Sequence, residues 1–207
     1  GDLEEAGPGI EDKRQHLRRV IEDERLVVFP EADVVGSLVD GIVNVVQANG
    51  IAGLSSNTIL LGWPGTPALQ AEFLRVVNQL EHLNESVILS RIRPKRLFRR
   101  ERPRIHLWWG GLERNGDLMV LLGHLLRNNP EWRNAKVEVM SIASSEMMKT
   151  QTETHLNQLI PDIRIDATPR VLIKPKDLSV AELIQRESAK AEVVFLGLST
   201  PKAGEET

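Results

Sequence analysis

The stretch "AEVVFLGLSTP" at 191–201 decides how this chain is read, because a near copy, "NTILLGWPGTP", stands at 57–67. In each, a short run of apolar residues ends in Leu-Gly and a brief turn closes on Thr-Pro. A continuous apolar run of this length, bounded by turn residues, is what a strand covered on both faces requires, and such strands belong to parallel sheets. Thr66 followed by Pro67 then reads as a helix N-cap with proline at the first helical position, where its missing N–H costs nothing.

Outward from these two anchors, the first part of the chain is expected to hold helices over 11–24, 38–48 and 67–83 and strands over 26–29, 57–63 and 86–92. The second part is expected to hold strands over 105–109, 137–142, 163–173 (interrupted by Pro169) and 191–198, with helices over 116–128, 145–159 and 179–189. Strands alternating with segments of helical apolar spacing are the pattern of parallel α/β units. On 67–83, Leu69, Phe73, Val76, Val77, Leu80 and Leu83 fall on one face. Ser179 and Glu182 make a capping box ahead of Leu183 and Ile184.

The order helix, strand, helix, strand leads into the Leu-Gly run in both parts, which suggests two copies of one α/β unit: 1–92 and 105–207, joined by 93–104. The copies are not coextensive. Strand 105–109, helix 116–128 and strand 137–142 open the second copy without a counterpart in the first. Helix 67–83 and strand 86–92 close the first without a counterpart in the second. Each unit is therefore expected to be incomplete, the first at its N-terminal part and the second at its C-terminal part, with a parent protein that continues in both directions.

At 207 residues and 41% apolar content the chain can fill a real core. It has no cysteine, which excludes disulfides, thiol nucleophiles and thiolate metal sites and agrees with a reducing compartment. No apolar run approaches the roughly 20 residues that cross a bilayer, and "GDLEEAGPGI" lacks the charged-then-apolar order of a signal peptide. Net charge is −3 but unevenly spread: "RIRPKRLFRRERPR" (91–104) holds eight of the 26 basic residues against one acid, Glu101.

The turn in "HLWWGGLERNGDLMVLL" (106–122) has the first half of a P-loop, Gly111 to Gly116, but Asp117 and Leu118 stand where Lys and Ser or Thr belong. Glu113 and Asp117 suit a helix N-terminus and compete with a phosphate for the same N–H groups. Phosphate binding there is disfavoured. Gly110 and Gly111 allow a tight turn, and Asn115-Gly116 tolerates positive φ. Leu118, Leu121, Leu122 and Leu125 are expected to bury the following helix. Met119, Val120 and Leu126 add more apolar surface than one sheet-packing stripe needs, which makes this helix the first candidate interface. The expected interface residues are Leu118, Val120, Leu122 and Leu126, flanked by Trp132.

"GLSTPKAG" after 191–198 lies where a doubly wound sheet places its ligand crevice, but Gly197-Leu198-Ser199 continues to Thr200 and Pro201 and is not a nucleophile elbow. His16, His82, His106, His124 and His155 show no metal-ligand spacing and read as packing or surface residues. No nucleophile is paired with a base, so no catalytic residue, cofactor or metal is expected. The basic segment reads first as an interdomain linker, extended by its two prolines. Its second reading is contact with an anionic lipid or acidic surface through Arg91, Arg93, Lys95, Arg96, Arg99 and Arg100, at about 1 kcal/mol per basic residue near a membrane. Nucleic acid ranks last, because Phe98 is the only aromatic in the cluster and the rest of the chain is acidic.

Together, "RIHLWWGGLERNGDLMVLLGHLLRNNPEWRNAKVEVMSI" (104–142) and "LSVAELIQRESAKAEVVFLGLSTPKAG" (178–204) resemble the cytosolic C-terminal domain of the cation-chloride, or sodium-potassium-chloride, cotransporters. The match rests on "DLMVLLGHLL" leading to W-x-x-A-K-V-x-V, and on E-L-I-x-x-x-S-x-x-A-x-V-V-F-L-G-L-x-x-P. It covers about half the chain, with 57–92 compatible as the end of the first unit. The resemblance implies a fold of two universal-stress-protein-like, doubly wound parallel-sheet units in tandem, packed side by side. It implies a soluble domain on the cytoplasmic face of the membrane, belonging to a symporter of Na⁺, K⁺ and Cl⁻. Such a domain is expected to form a homodimer and to act on the parent's transmembrane domain in regulation, not to carry ions. The turn "GGLERNG" departs from the acidic arrangement of the family, so no role of that turn carries over. The likeness to universal stress proteins leaves a second reading open, a tandem nucleotide-binding sensor of ATP or AMP. Their Gly-x-x-Gly followed by Gly-Ser or Gly-Thr is not met by Gly197-Leu198-Ser199-Thr200.

Overall fold

The structure, a computed structural model, describes residues 3–48, 50–51, 54–55, 57–92, 103–110, 115–163 and 165–198. The chain is α/β, with six helices among the described residues and parallel sheets of two and four strands. The described residues divide between two compact units, unit 1 running to Arg91 and unit 2 from Ile92 onward.

Unit 2 holds β5 (Arg104–Trp108), α4 (Asn115–Asn128), β6 (Lys136–Ala143), α5 (Glu146–Asp162), β7 (Thr168–Ile173), α6 (Val180–Glu187) and β8 (Val193–Leu196). Its sheet has the order β7-β6-β5-β8 and every pair is parallel. The chain winds outward from β5 through β6 to β7 and then returns to place β8 on the other side of β5, which is doubly wound order. Register is fixed by opposing Leu107 to Val139 and to Phe195, which sets all three on one face.

That face carries the core. Ile105, Leu107, Val137, Val139, Ala143 and Val171 from the strands meet Leu156 and Ile160 of α5, Val120 of α4, and Trp109 and Trp132, all buried. Helix α5 packs on β6 and β7, and α4 on β5. Gly123 lets α4 come close: a Cβ there would lie 3.2 Å from Cδ2 of Leu107. Ser145 caps α5 through Met148 N–H, and the Ser179–Glu182 capping box opens α6 with both reciprocal hydrogen bonds formed.

Unit 1 holds α1 (Leu3–Asp23), α2 (Leu38–Ala48), β1 (Gly50–Ile51), β2 (Leu54–Ser55), β3 (Thr58–Gly62), α3 (Pro67–His82) and β4 (Ser86–Ser90). Strands β3 and β4 are parallel, with Leu60 opposite Ile88. Helix α3 starts on Pro67 after Thr66, buries Phe73, Val76 and Leu80, and packs against β4 and α2. It stops at Leu83, followed by Asn84 at φ 60°, a left-handed residue of the kind that ends helices.

The structure corrects the sequence reading in four places. Residues 26–29 are not a strand: no strand lies beside them among the described residues, and Leu26, Val27, Val28 and Phe29 are 49%, 98%, 52% and 96% exposed. Strand propensity alone does not make a strand, because its N–H and C=O groups need a neighbouring ladder. Strand 163–173 shortens to β7, since Ile163 caps α5. Gly50–Ile51 and Leu54–Ser55 form a short antiparallel pair with no periodicity long enough to read. Asn115 and Gly116 belong to α4 itself, not to a positive-φ turn ahead of it.

Because Leu107 is fully buried in the central strand under Gly123, Leu107→Ala is expected to cost about 3 kcal/mol. Denaturant unfolding should show this as a lower midpoint at unchanged slope.

Candidate functional site

In a doubly wound sheet the ligand crevice forms where chain connections leave neighbouring strands on opposite sides, here between the C-terminal ends of β5 and β8. Protein groups fill the described part of that crevice. Asn115, first residue of α4, donates from Nδ2 to the carbonyl oxygen of Leu198 at 2.9 Å. Gly197 lies against it, at a place where a Cβ would meet Asn115 Cβ at 3.2 Å. The Trp109 ring covers Gly116, so that a Cβ there would sit 2.6 Å from Cζ3. Trp109 is held by main-chain bonds: its N–H donates to Met140 O at 2.7 Å, and its carbonyl accepts from Ser141 Oγ at 3.0 Å. With an indole and a carboxamide at the start of α4, and the acidic Asp117 in its first turn, this helix end suits self-capping better than an anion. The expected turn residues Gly111 and Glu113, and Ser199 to Gly204, lie outside the described residues.

The opposite face of the sheet carries a buried polar cluster. Strand alternation puts His106 and Trp108 of β5 on the face away from Ile105 and Leu107, and register sets His106 opposite Glu138 of β6. Both are buried, at 1% and 6% exposure. Ser188, the C-cap of α6, accepts from Trp108 Nε1 at 2.9 Å and lies 3.1 Å from His106 Nδ1. The hydroxyl keeps its hydrogen to give to Nδ1, an arrangement that leaves the imidazole proton on Nε2, the nitrogen facing the Glu138 carboxylate. Nε2 faces Oε2 of Glu138 at 3.3 Å, a charge-attraction distance without well-aligned hydrogen-bond geometry. The carboxylate's other oxygen accepts from Lys136 Nζ at 3.0 Å. At the edge, Glu187 of α6 pairs with Arg170 of β7 at 2.7 Å and with Arg186 at 3.2 Å.

Ser188, His106 and Glu138 have the membership of a hydrolytic triad, which the sequence alone did not bring together. Their setting is that of a staple: the imidazole is buried and the hydroxyl is engaged by Trp108. Burial holds the His106 pKa below its ordinary value despite the attraction of Glu138. Glu138 is also held low, because Lys136, His106 and Arg170 outweigh its own desolvation. A signal was present in sequence, since "RIHLW" and "KVEVM" each set one polar residue third in an apolar strand.

Of the expected interface residues, Val120 and Trp132 are core, at 8% and 7% exposure, and Leu126 packs against that core. Leu118 and Leu122 are half-buried. The faces of α4 are therefore reversed from expectation: Met119, Val120 and Gly123 are buried, whereas Leu121 and Leu125 are 51% and 56% exposed. Both faces of this helix are apolar, and Gly123 selects the one that touches the sheet. Leu118, Leu121, Leu122 and Leu125 form the outer stripe at i, i+3, i+4 and i+7. In the basic segment Arg91 is exposed. Arg93, Lys95, Arg96, Arg99 and Arg100 lie outside the described residues. Among the described residues no three His, Cys, Asp or Glu side chains gather as a metal site, and no helix is long and apolar enough to cross a membrane.

Two outcomes follow. Gly116→Ala forces the Trp109 ring to move and is expected to destabilise by about 1–3 kcal/mol, with a changed near-ultraviolet aromatic dichroism. Acid should weaken unit 2 in two steps. Below the ordinary imidazole value of 6.5 the unfolded chain takes a proton that folded His106 resists. The stabilisation from Glu138 is complete above 4.5 and is lost as pH falls through its lower folded value. Denaturant midpoints should therefore fall between pH 7.5 and 5.5, and His106→Gln should remove that slope. An unchanged slope in the variant would show that another group is responsible.

No family model matches the chain. Among solved structures it is similar to the crystal structure of the cytoplasmic domain of a prokaryotic cation chloride cotransporter, with a TM-score of 0.60 at 16% sequence identity. The match covers 93% of this chain and 79% of that one. At this identity the likeness is one of fold, and it takes in nearly the whole chain: the protein has the α/β fold of that cytoplasmic domain.

Proposed function

We propose that this chain is a non-catalytic regulatory and dimerisation domain of a cation-chloride-cotransporter-like secondary transporter, lying at the cytoplasmic face of the membrane. The observation that carries this reading is the fold likeness over 93% of the chain, which agrees with the long patterns at 104–142 and 178–204. The fold is read as two tandem universal-stress-protein-like units, 1–92 and 105–207, joined by the basic linker 93–104.

Dimer contact is assigned to the outer stripe of α4. Leu121 and Leu125 supply the exposed apolar surface, Leu118 and Leu122 flank it, and Val120, Leu126 and Trp132 support it from the core side. An apolar seam at this spacing is the form in which one helix packs on another. Two rigid units held across a two-fold axis would pass a change of position to the parent's transmembrane helices without any chemistry. Arg91 and the basic residues that follow it offer anionic lipid head groups a partner next to that membrane.

Sedimentation at micromolar concentration is expected to show a dimer that Leu121→Asp with Leu125→Asp converts to monomer without loss of helix content. A wild-type monomer throughout that range would remove the interface. The competing nucleotide-sensor reading predicts about 2.7 kcal/mol of stabilisation at 100 times the dissociation constant. With Asn115 and Trp109 filling the described part of the strand-end crevice, the expected thermal shift with millimolar ATP or AMP is none.

A further inference from the structure

Helix α6 is held to its face of the unit 2 sheet by little. Helices α4 and α5 share the apolar core on the other face, whereas Leu183 is the one buried residue within α6 and Val180 is 48% exposed. The helix also carries its own ends. The capping box closes its first turn, and the Ser188 N–H donates to the Ile184 carbonyl oxygen. Its approach from β7 is self-contained too, since Lys174 Nζ binds the carbonyl oxygens of Pro175 and Leu178. None of these bonds is lost when the helix leaves the sheet. What ties it down is its C-terminal end, where the Ser188 hydroxyl joins Trp108 Nε1 and His106 Nδ1. Glu187 adds an ion pair with the exposed Arg170, which contributes little at that exposure.

The ring under that tie can take a second proton only by disturbing it. In the neutral ring Nδ1 accepts from the Ser188 hydroxyl; a proton placed on Nδ1 meets the hydroxyl hydrogen head-on, and the hydroxyl has to turn away. The surrounding charges do not compensate. Strand β6 brings Glu138, whose carboxylate attracts an imidazolium but is already bonded to Lys136. Arg170 of β7 and Arg104 of β5 both repel one. Helix α6 brings Ser188, with Glu187 and Arg186 paired beyond it, and Lys190 and Glu192 stand in the connection to β8. Strand β8 sets Val194 opposite His106 and has no ionisable side chain. One shared carboxylate is thus set against two guanidinium groups and a ring that is 1% exposed.

We propose that α6 is a latch released by acid: protonation of His106 frees the Ser188 end and lifts the helix from the sheet, while the four strands, α4 and α5 stay folded. With the helix away, His106 meets water and takes its proton near the ordinary value of 6.5, which burial denies it in the closed form. Below that value the open form binds a proton that the closed form resists, so opening gains up to about tenfold between pH 7.5 and 5.5. Glu138 does not blunt the effect. It is held low when closed and has the ordinary value of 4.5 when open, so it is ionised in both forms across this range. Release bares His106, Trp108, Glu138 and Met140, all buried in the closed form. Global unfolding exposes the same ring, but the internal caps and single buried anchor of α6 make its departure the first step. The latch rests on unit 2 alone and not on a transport role.

Native-state hydrogen exchange by NMR on the 207-residue chain tests this, with each rate divided by the intrinsic rate at its pH. The Trp108 indole N–H and the amides of 184–188 are expected to exchange through an opening that low urea does not accelerate, and that is about three- to tenfold more populated at pH 5.5 than at 7.5. The amides of Leu156 and Ile160 in α5 should stay slower at both pH values and keep a steep urea dependence. Exchange of α6 in step with α5 at every urea concentration would show that the helix leaves only on global unfolding, and an opening indifferent to pH would show that no proton releases it. Either result overturns the latch. His106→Gln is expected to hold the opening constant between the two pH values, and a rise that persists in this variant ends the assignment to His106. The ring nitrogens of the unsubstituted chain decide independently. In the closed form at pH 5.5 His106 is expected to be neutral with its proton on Nε2, and an imidazolium formed while α6 stays protected would overturn the proposal. Because none of these readouts involves transport or α4, failure here leaves the proposed regulatory role standing, and the reverse also holds.

Discussion

A parallel strand has to be covered on both faces and paired along its inner edges, and this constraint accounts for most of what the chain does. In unit 2 it is met. Strand β5 is flanked by β6 and β8, and its five residues alternate between an apolar face under α4 and a face that carries His106 and Trp108. The second face is covered, and α6 is tied there by hydrogen bonds, which obliges the strand's polar atoms to find partners in Ser188 and Glu138. In unit 1 the same constraint is unmet at β3, and the apolar residues that would satisfy it are on the surface.

The two faces of the unit 2 sheet are held by different physics. Beneath α4 and α5 the contact is dense and apolar, so its strength depends on volume and fit. On the α6 side the cohesion runs through an imidazole, two carboxylates and a hydroxyl. It depends on protonation and on the low dielectric that burial creates. Helix α6 is short, with Leu183 as its single buried anchor. Its attachment therefore follows the electrostatics of the cluster more closely than that of α4 or α5 does.

Much of the fold was legible because its signals are local. The Leu-Gly runs mark β3 and β8, Thr66-Pro67 marks the start of α3, and the Ser179–Glu182 pair marks α6. Each is decided within a few residues of chain. What was not legible depends on partners distant in sequence. Residues 26–29 have the composition of a strand, but no strand among the described residues lies beside them to form a ladder. The two apolar stripes of α4 are nearly equal in sequence, and the choice between them lies with Gly123 meeting Leu107. The pairing of His106 with Glu138 needs the register of β5 against β6. Asn115 closing on Leu198 needs the order of β5 beside β8. Of the residues the sequence proposed for an interface, Val120 and Trp132 are therefore buried, and the exposed apolar residues of the helix are Leu121 and Leu125.

The four tryptophans are unequally divided: Trp108, Trp109 and Trp132 are buried in unit 2, and only Trp63, half-buried, belongs to unit 1. Intrinsic emission is thus largely a property of one unit, and a fluorescence-monitored melt records chiefly the loss of that unit. The backbone signal in the far ultraviolet sums over both. Any gap between the two curves would measure how independently the halves come apart.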